Sequence, residues 1–169
     1  MRFIVVSDIY GYPLHMDWLR EYGAIEFLFL GDLCDRPNLS GPDLHSYLFK
    51  QRGLECVASR LSRFPRDELH GLGFSAGGTA LWRAAGEGMH LERLVCVSST
   101  RLRYERTRLA IPTHTFWGEC DPHRPDEEWC RSIPNHSQVY PGLGHSFYHQ
   151  ASGVPSAAHQ ADLIRVLTD

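Results

Sequence analysis

Leu72-Gly73-Phe74-Ser75-Ala76-Gly77-Gly78-Thr79-Ala80-Leu81-Trp82 is the stretch on which the fold turns. An apolar run passes through a glycine-serine corner straight into helix formers, the pattern of a β-strand feeding directly into an α-helix. A residue at such a corner sits in a strained backbone conformation. Glycines two positions to either side remove side chains that would strike the strand and the helix. Gly73 and Gly77 occupy those positions, and Gly78 gives further room. The strand before the corner, Glu68 to Phe74, has weak β-propensity because it carries Gly71 and Gly73, and it is assigned from the corner and the helix after it.

Outward from this corner, short apolar runs alternate with longer amphipathic ones, as in a parallel sheet covered by helices. Strands are expected at Phe3–Val6, Glu26–Leu30, Glu68–Phe74, Leu94–Ser98, Ile111–Trp117 and Gln138–Tyr140. Helices are expected around Leu14–Tyr22, from Leu44 to Leu61 with a pause at Gly53, and over Thr79–Ala85, Glu127–Ile133 and Ala157–Leu167. Asp32 to Pro42 is polar and rich in Pro and Gly, and reads as a loop. Right-handed crossovers make this an α/β three-layer doubly wound sandwich with a mostly parallel sheet of about six strands. With 169 residues and no repeat or linker, residues 1–169 read as one domain.

The bulk composition narrows the partners. A formal net charge of −3 with scattered Lys and Arg predicts neither nucleic acid nor an anionic membrane as partner. No apolar run approaches the roughly 18 residues of a membrane span, and Arg2-Phe3-Ile4-Val5-Val6 does not resemble a secretory leader. Five cysteines, an odd number, read as reduced thiols, so a cytoplasmic protein is expected.

The chemistry-bearing residues fall in a definite order. Ser75 at the corner is the candidate nucleophile, and the first N–H groups of the following helix, Ala76 foremost, can hold an oxyanion. A serine hydroxyl needs a base, and the base needs an orienting carboxylate. On a sheet of this kind the chain order is serine, acid, histidine, each on a loop after a later strand. Gly118-Glu119-Cys120-Asp121-Pro122 places Asp121 after the fifth strand, and Pro141-Gly142-Leu143-Gly144-His145 places His145 after the sixth. Glu119 and Asp126 are rival acids, and His123, His136 and His149 are rival bases. Arg101 and Arg103, after the fourth strand, read as ordinary exposed arginines, with lining the pocket and holding a substrate carboxylate as the alternative.

With these motifs the chain resembles the α/β-hydrolase superfamily, and more closely its dienelactone-hydrolase-like branch. Asp8-Ile9-Tyr10-Gly11 after the first strand is similar to that branch's acidic, apolar, aromatic, glycine turn. Gly73 to Gly78 with Trp82, Gly118 with Asp121, and Gly144-His145 match its other landmarks. The resemblance spans residues 2 to 149 and implies strand order 2-1-3-4-5-6 on a minimal, lidless sheet. It also implies that the Ile9 N–H is the second oxyanion donor, that Asp8 lies close to Ser75, and that Tyr10 borders the substrate. The implied reaction needs no cofactor or metal and hydrolyses a small carboxylic ester or thioester through an acyl-enzyme. Dienelactone hydrolases proper use cysteine where this chain has Ser75.

Two other readings stay open. Ser7-Asp8-Ile9-Tyr10-Gly11 with Gly31-Asp32-Leu33-Cys34-Asp35-Arg36 after it resembles the start of a calcineurin-type metallophosphoesterase. Tyr10 stands where that family has a metal-binding histidine, and the chain has no later Gly-Asn-His segment. The third reading is a non-catalytic ligand-binding protein that keeps the fold and a pocket.

Overall fold

The computed structural model describes residues 1–13, 16–65, 68–149 and 157–168. Six strands form one sheet: β1 (Arg2–Val6), β2 (Ala24–Leu28), β3 (Leu69–Phe74), β4 (Arg93–Val97), β5 (Thr113–Gly118) and β6 (His136–Tyr140). Their order is β2-β1-β3-β4-β5-β6, and every neighbouring pair is parallel. All carboxyl ends therefore lie along one edge of the sheet, and the order reverses between β1 and β3. A crevice for a ligand is expected at that point.

The alternation of side chains along each strand builds two cores. Ile4, Val6, Leu94, Cys96 and Trp117 face one side, where α1 (Leu30–Leu33), α2 (Gly41–Lys50), α3 (Gly53–Leu61), α4 (Ala76–Gly86) and α5 (Glu127–Ser132) cover them. Phe3, Val5, Leu72, Phe74, Val95, Val97 and Phe116 face the other, covered by a short 3-10 helix at Met16–Glu21 and by α6 (Ala157–Thr168). Trp82 and Trp117 are both buried and both approach Trp129 of α5. Strand β3 carries glycine on the α4 side because the helix lies almost on it. A Cβ on Gly73 would enter the Gly77-Gly78 backbone of α4.

The expected elements are present with shifted ends. The strand expected at Glu26–Leu30 runs Ala24–Leu28 instead, and Gly31-Asp32 belongs to α1. The helix turns there because the Ser7 hydroxyl accepts the Leu30 N–H at 3.1 Å, taking that group away from the sheet. The helix expected around Leu14–Tyr22 is a 3-10 turn over Met16–Glu21, with Leu14 outside the described residues. No helix among the described residues is long and apolar enough to cross a membrane.

Candidate active site

Ser75 lies at the end of β3 with φ 48° and ψ −117°, a positive-φ backbone outside the allowed regions that a residue with a Cβ adopts only under constraint. The constraint is visible on both sides. The Ser75 N–H is held by the Val97 carbonyl of β4 at 2.9 Å. The first turn of α4 is pressed onto the end of β1 so closely that a Cβ on Gly77 would strike the Val6 and Ser7 carbonyls. The side chain is thereby lifted off the sheet edge toward the loops after β4, β5 and β6.

Those loops bring three groups into a line. Both carboxylate oxygens of Asp121 lie within reach of His145 Nδ1, at 2.9 and 3.0 Å. Asp121 has no exposed side-chain surface, and its Oδ1 also accepts the His123 backbone N–H at 2.8 Å. Burial alone would raise this carboxyl, but the bonds from His145 and His123 outweigh it and hold the group below its ordinary value. An ionised Asp121 can only accept, so His145 Nδ1 carries the proton and Nε2 is left as an acceptor. Ser75 O–H then donates to His145 Nε2 across 3.1 Å.

Proton counting assigns one more donor. Ser75 Oγ is 2.8 Å from Thr100 Oγ1. With the serine proton directed to His145, the Thr100 hydroxyl donates to Ser75. Thr100 is anchored in turn by the Thr79 hydroxyl, which donates to its carbonyl.

The Asp8–Gly11 turn closes the other side. Asp8 Oδ1 accepts the N–H groups of Tyr10 (2.6 Å) and Gly11 (2.8 Å). Its Oδ2 accepts Tyr148 O–H (3.0 Å) and His149 Nε2 (2.6 Å). The loop that carries His145 is thus tied to the turn that carries Ile9. Among the described residues, no protein acceptor takes the Ile9 or Ala76 N–H. A cavity of about 160 Å³ opens between these groups, lined by Asp8, Ile9, Tyr10, Ser75, Thr100 and His145, with His45, His123, Ser146 and Tyr148 completing it. Tyr10 is 70% exposed at its border.

Arg101 and Arg103, read either as ordinary surface residues or as pocket-lining ones, are not among the residues that line the cavity. Arg101 carries φ 76°, and its guanidinium stacks over Phe49 at 4.5 Å. Arg103 bonds to His123. The rival acids are occupied elsewhere: Asp126 caps α5 through the Trp129 N–H, and Glu119 accepts the Gly142 N–H. Asp35, part of the metallophosphoesterase-like segment, is paired with Arg60 at 2.7 Å. Among the described residues, no three His, Cys, Asp or Glu side chains gather in a metal-binding arrangement. Thr100, His45, Tyr148 and the roles of His123 and His149 are not legible in the sequence. The only signal there is that His123 and His149 sit two and four residues beyond Asp121 and His145.

No protein-family model matches the chain, and no curated protein matches it. Solved structures similar to it include dienelactone-hydrolase-like proteins and other α/β hydrolases, matched over nearly the whole chain. RedJ, a thioesterase from the prodiginine pathway of Streptomyces coelicolor, is 16% identical, with TM-score 0.62, covering 98% of this chain and 86% of that one. P91, a dienelactone-hydrolase-like promiscuous phosphotriesterase from metagenomic libraries, is 19% identical, with TM-score 0.61 and coverage of 99% and 87%. A candidate dienelactone hydrolase from Klebsiella pneumoniae is 20% identical, with TM-score 0.63 and coverage of 98% and 85%. The fold is that of the α/β hydrolases, with the six-stranded order expected from the resemblance.

Proposed function

We propose that this protein is a serine hydrolase that cleaves a small carboxylic ester or thioester through an acyl-enzyme. The observation that carries the reading is the unbroken line from Ser75 Oγ to His145 Nε2 and from His145 Nδ1 to the buried Asp121 carboxylate. Ser75 Oγ attacks the carbonyl carbon while its proton passes to His145 Nε2. The negative charge that develops on the carbonyl oxygen meets the Ile9 and Ala76 N–H groups. The imidazolium, stabilised by Asp121, returns the proton to the leaving oxygen or sulfur as that bond breaks. Water then attacks the acyl-serine with His145 again as base, releasing the acid and restoring Ser75.

The cavity supports a small substrate, since drug-sized ligands occupy pockets of roughly 300–1,000 Å³, against about 160 Å³ here. The thioesterase and phosphotriesterase among its structural neighbours use the same fold, in keeping with acyl or related transfer. A fluorophosphonate probe tests the reading. Wild type is expected to acquire one covalent adduct on Ser75 by mass spectrometry, and Ser75→Ala none. A folded wild type that stays unlabelled removes the enzyme reading in favour of a binding protein. Labelling that survives Ser75→Ala removes the nucleophile assignment.

A further inference from the structure

Arg103 and His123 are brought together by contacts that the triad does not use. Arg103 Nη1–H donates to the His123 carbonyl at 3.1 Å and to His123 Nδ1 at 3.3 Å. A guanidinium has donors only, so Nδ1 must be the acceptor and the imidazole proton sits on Nε2. The groups facing this ring are Asp121, His145, Arg103 and His45. Burial first, with the nearby His145 and Arg103, holds it below the ordinary histidine value, which keeps it uncharged. The His123 backbone N–H is fixed on Asp121, so the residue is held at main chain and side chain alike. Its ring lines the cavity beside Ser75 and meets the His145 ring edge-on, with centroids 5.0 Å apart. Among the described residues, no protein acceptor takes the Nε2–H.

We propose that His123 is a specificity-determining residue, its Nε2–H donating to an acceptor oxygen on the substrate's leaving group, with Arg103 as the positioning residue that fixes this tautomer. The chemistry selects the leaving-group side: the departing atom must come to His145 Nε2 to collect its proton, and His123 packs against that ring. Whatever projects one or two atoms beyond the departing atom meets His123. The preferred substrates are esters or thioesters whose leaving group carries an ether, hydroxyl or carbonyl oxygen near the scissile bond. This inference rests on the serine-hydrolase proposal above.

The test compares 2-methoxyethyl acetate with n-butyl acetate, esters of equal chain length that differ by one ether oxygen. One neutral hydrogen bond corresponds to roughly a fivefold to tenfold factor in kcat/KM. The ratio of the two kcat/KM values is expected to fall by about that factor in His123→Phe and in the same direction in Arg103→Met, with partial recovery in His123→Gln, which keeps an N–H donor. An equal fall for both esters, leaving the ratio at its wild-type value, overturns the proposal. Long-range proton–nitrogen NMR of the wild type is an activity-independent check, and must show the His123 proton on Nε2 and its redistribution in Arg103→Met. A wild-type proton on Nδ1 overturns the tautomer argument. Failure of fluorophosphonate labelling removes the hydrolase reading and this inference with it, whereas normal labelling with an unchanged ester ratio removes only the inference.

Discussion

Tyr148→Phe removes one oxygen from the clamp between the His145 loop and the Asp8–Gly11 turn and adds no volume. The Tyr148 ring packs on Phe74, and this contact survives the substitution. What is lost is the 3.0 Å bond to Asp8 Oδ2, made where Tyr148 is 2% and Asp8 3% exposed. Burial foremost, and then the neighbouring Asp8, push the Tyr148 hydroxyl above its ordinary value, so it remains a donor at every working pH. A hydrogen bond to a charged group contributes about 1.5–3 kcal/mol. For a chain of this size each kcal/mol corresponds to about 2–4 °C, so Tm is expected to fall by about 3–12 °C. Fluorophosphonate labelling is expected to slow as well, because the same carboxylate holds the turn that aims the Ile9 N–H. Thermal melts and labelling rates at neutral pH measure both effects. His149→Phe gives a second arm, since both donors feed Oδ2. Removing both is expected to cost more than the sum of the single losses. A Tyr148→Phe protein with Tm within about 1 °C of wild type and unchanged labelling would show that the clamp neither stabilises the fold nor positions the site.

Two further perturbations test the frame around the site. Gly77→Ala pushes a methyl into the Val6 and Ser7 carbonyls and is expected to cost about 1–3 kcal/mol in a denaturant melt, with slower labelling; wild-type behaviour would refute the close approach of α4 to β1. His159, buried among Phe116, Tyr140 and Phe147, is lowered to about 4, mainly by burial. Between the ordinary histidine value of about 6.5 and that lower value, the unfolded chain binds a proton that the folded chain refuses. Stability is therefore present above about 6.5 and is lost as pH falls toward 4, and His159→Phe is expected to flatten that decline; an equally steep profile in the variant would refute it.

The sequence carried the fold unusually far because a parallel sheet buried on both faces leaves continuous apolar runs and short glycine-rich turns. Its errors have local causes. Residues 25–30 are apolar except for Glu26, so periodicity could not locate the end of β2. That end is set by the Ser7 hydroxyl, which lies 23 positions away from Leu30 in the chain. Ser75, Asp121 and His145 could be named because topology orders them along one sheet edge. The donors around Asp8 could not, since Tyr148 and His149 reach it from some 140 residues away and are unremarkable residue types in a loop. The contact of Arg103 with His123 was hidden for a related reason. Its direction depends on the left-handed turn at Arg101, which carries no glycine to announce it.

The parallel order also sets a sequence of events during synthesis. The Asp8–Gly11 turn leaves the ribosome first, the Ser75 corner next, Asp121 later, and the proposed base with the clamp residues Tyr148 and His149 only after that. Until the loop after β6 docks, Ser75 lacks its contact with His145, and the turn carrying Ile9 has no tether on Asp8 Oδ2. A nascent chain holding the whole strained corner thus still lacks the proposed base. Docking of this one loop brings the proposed base to Ser75 and tethers the Asp8–Gly11 turn at the same time.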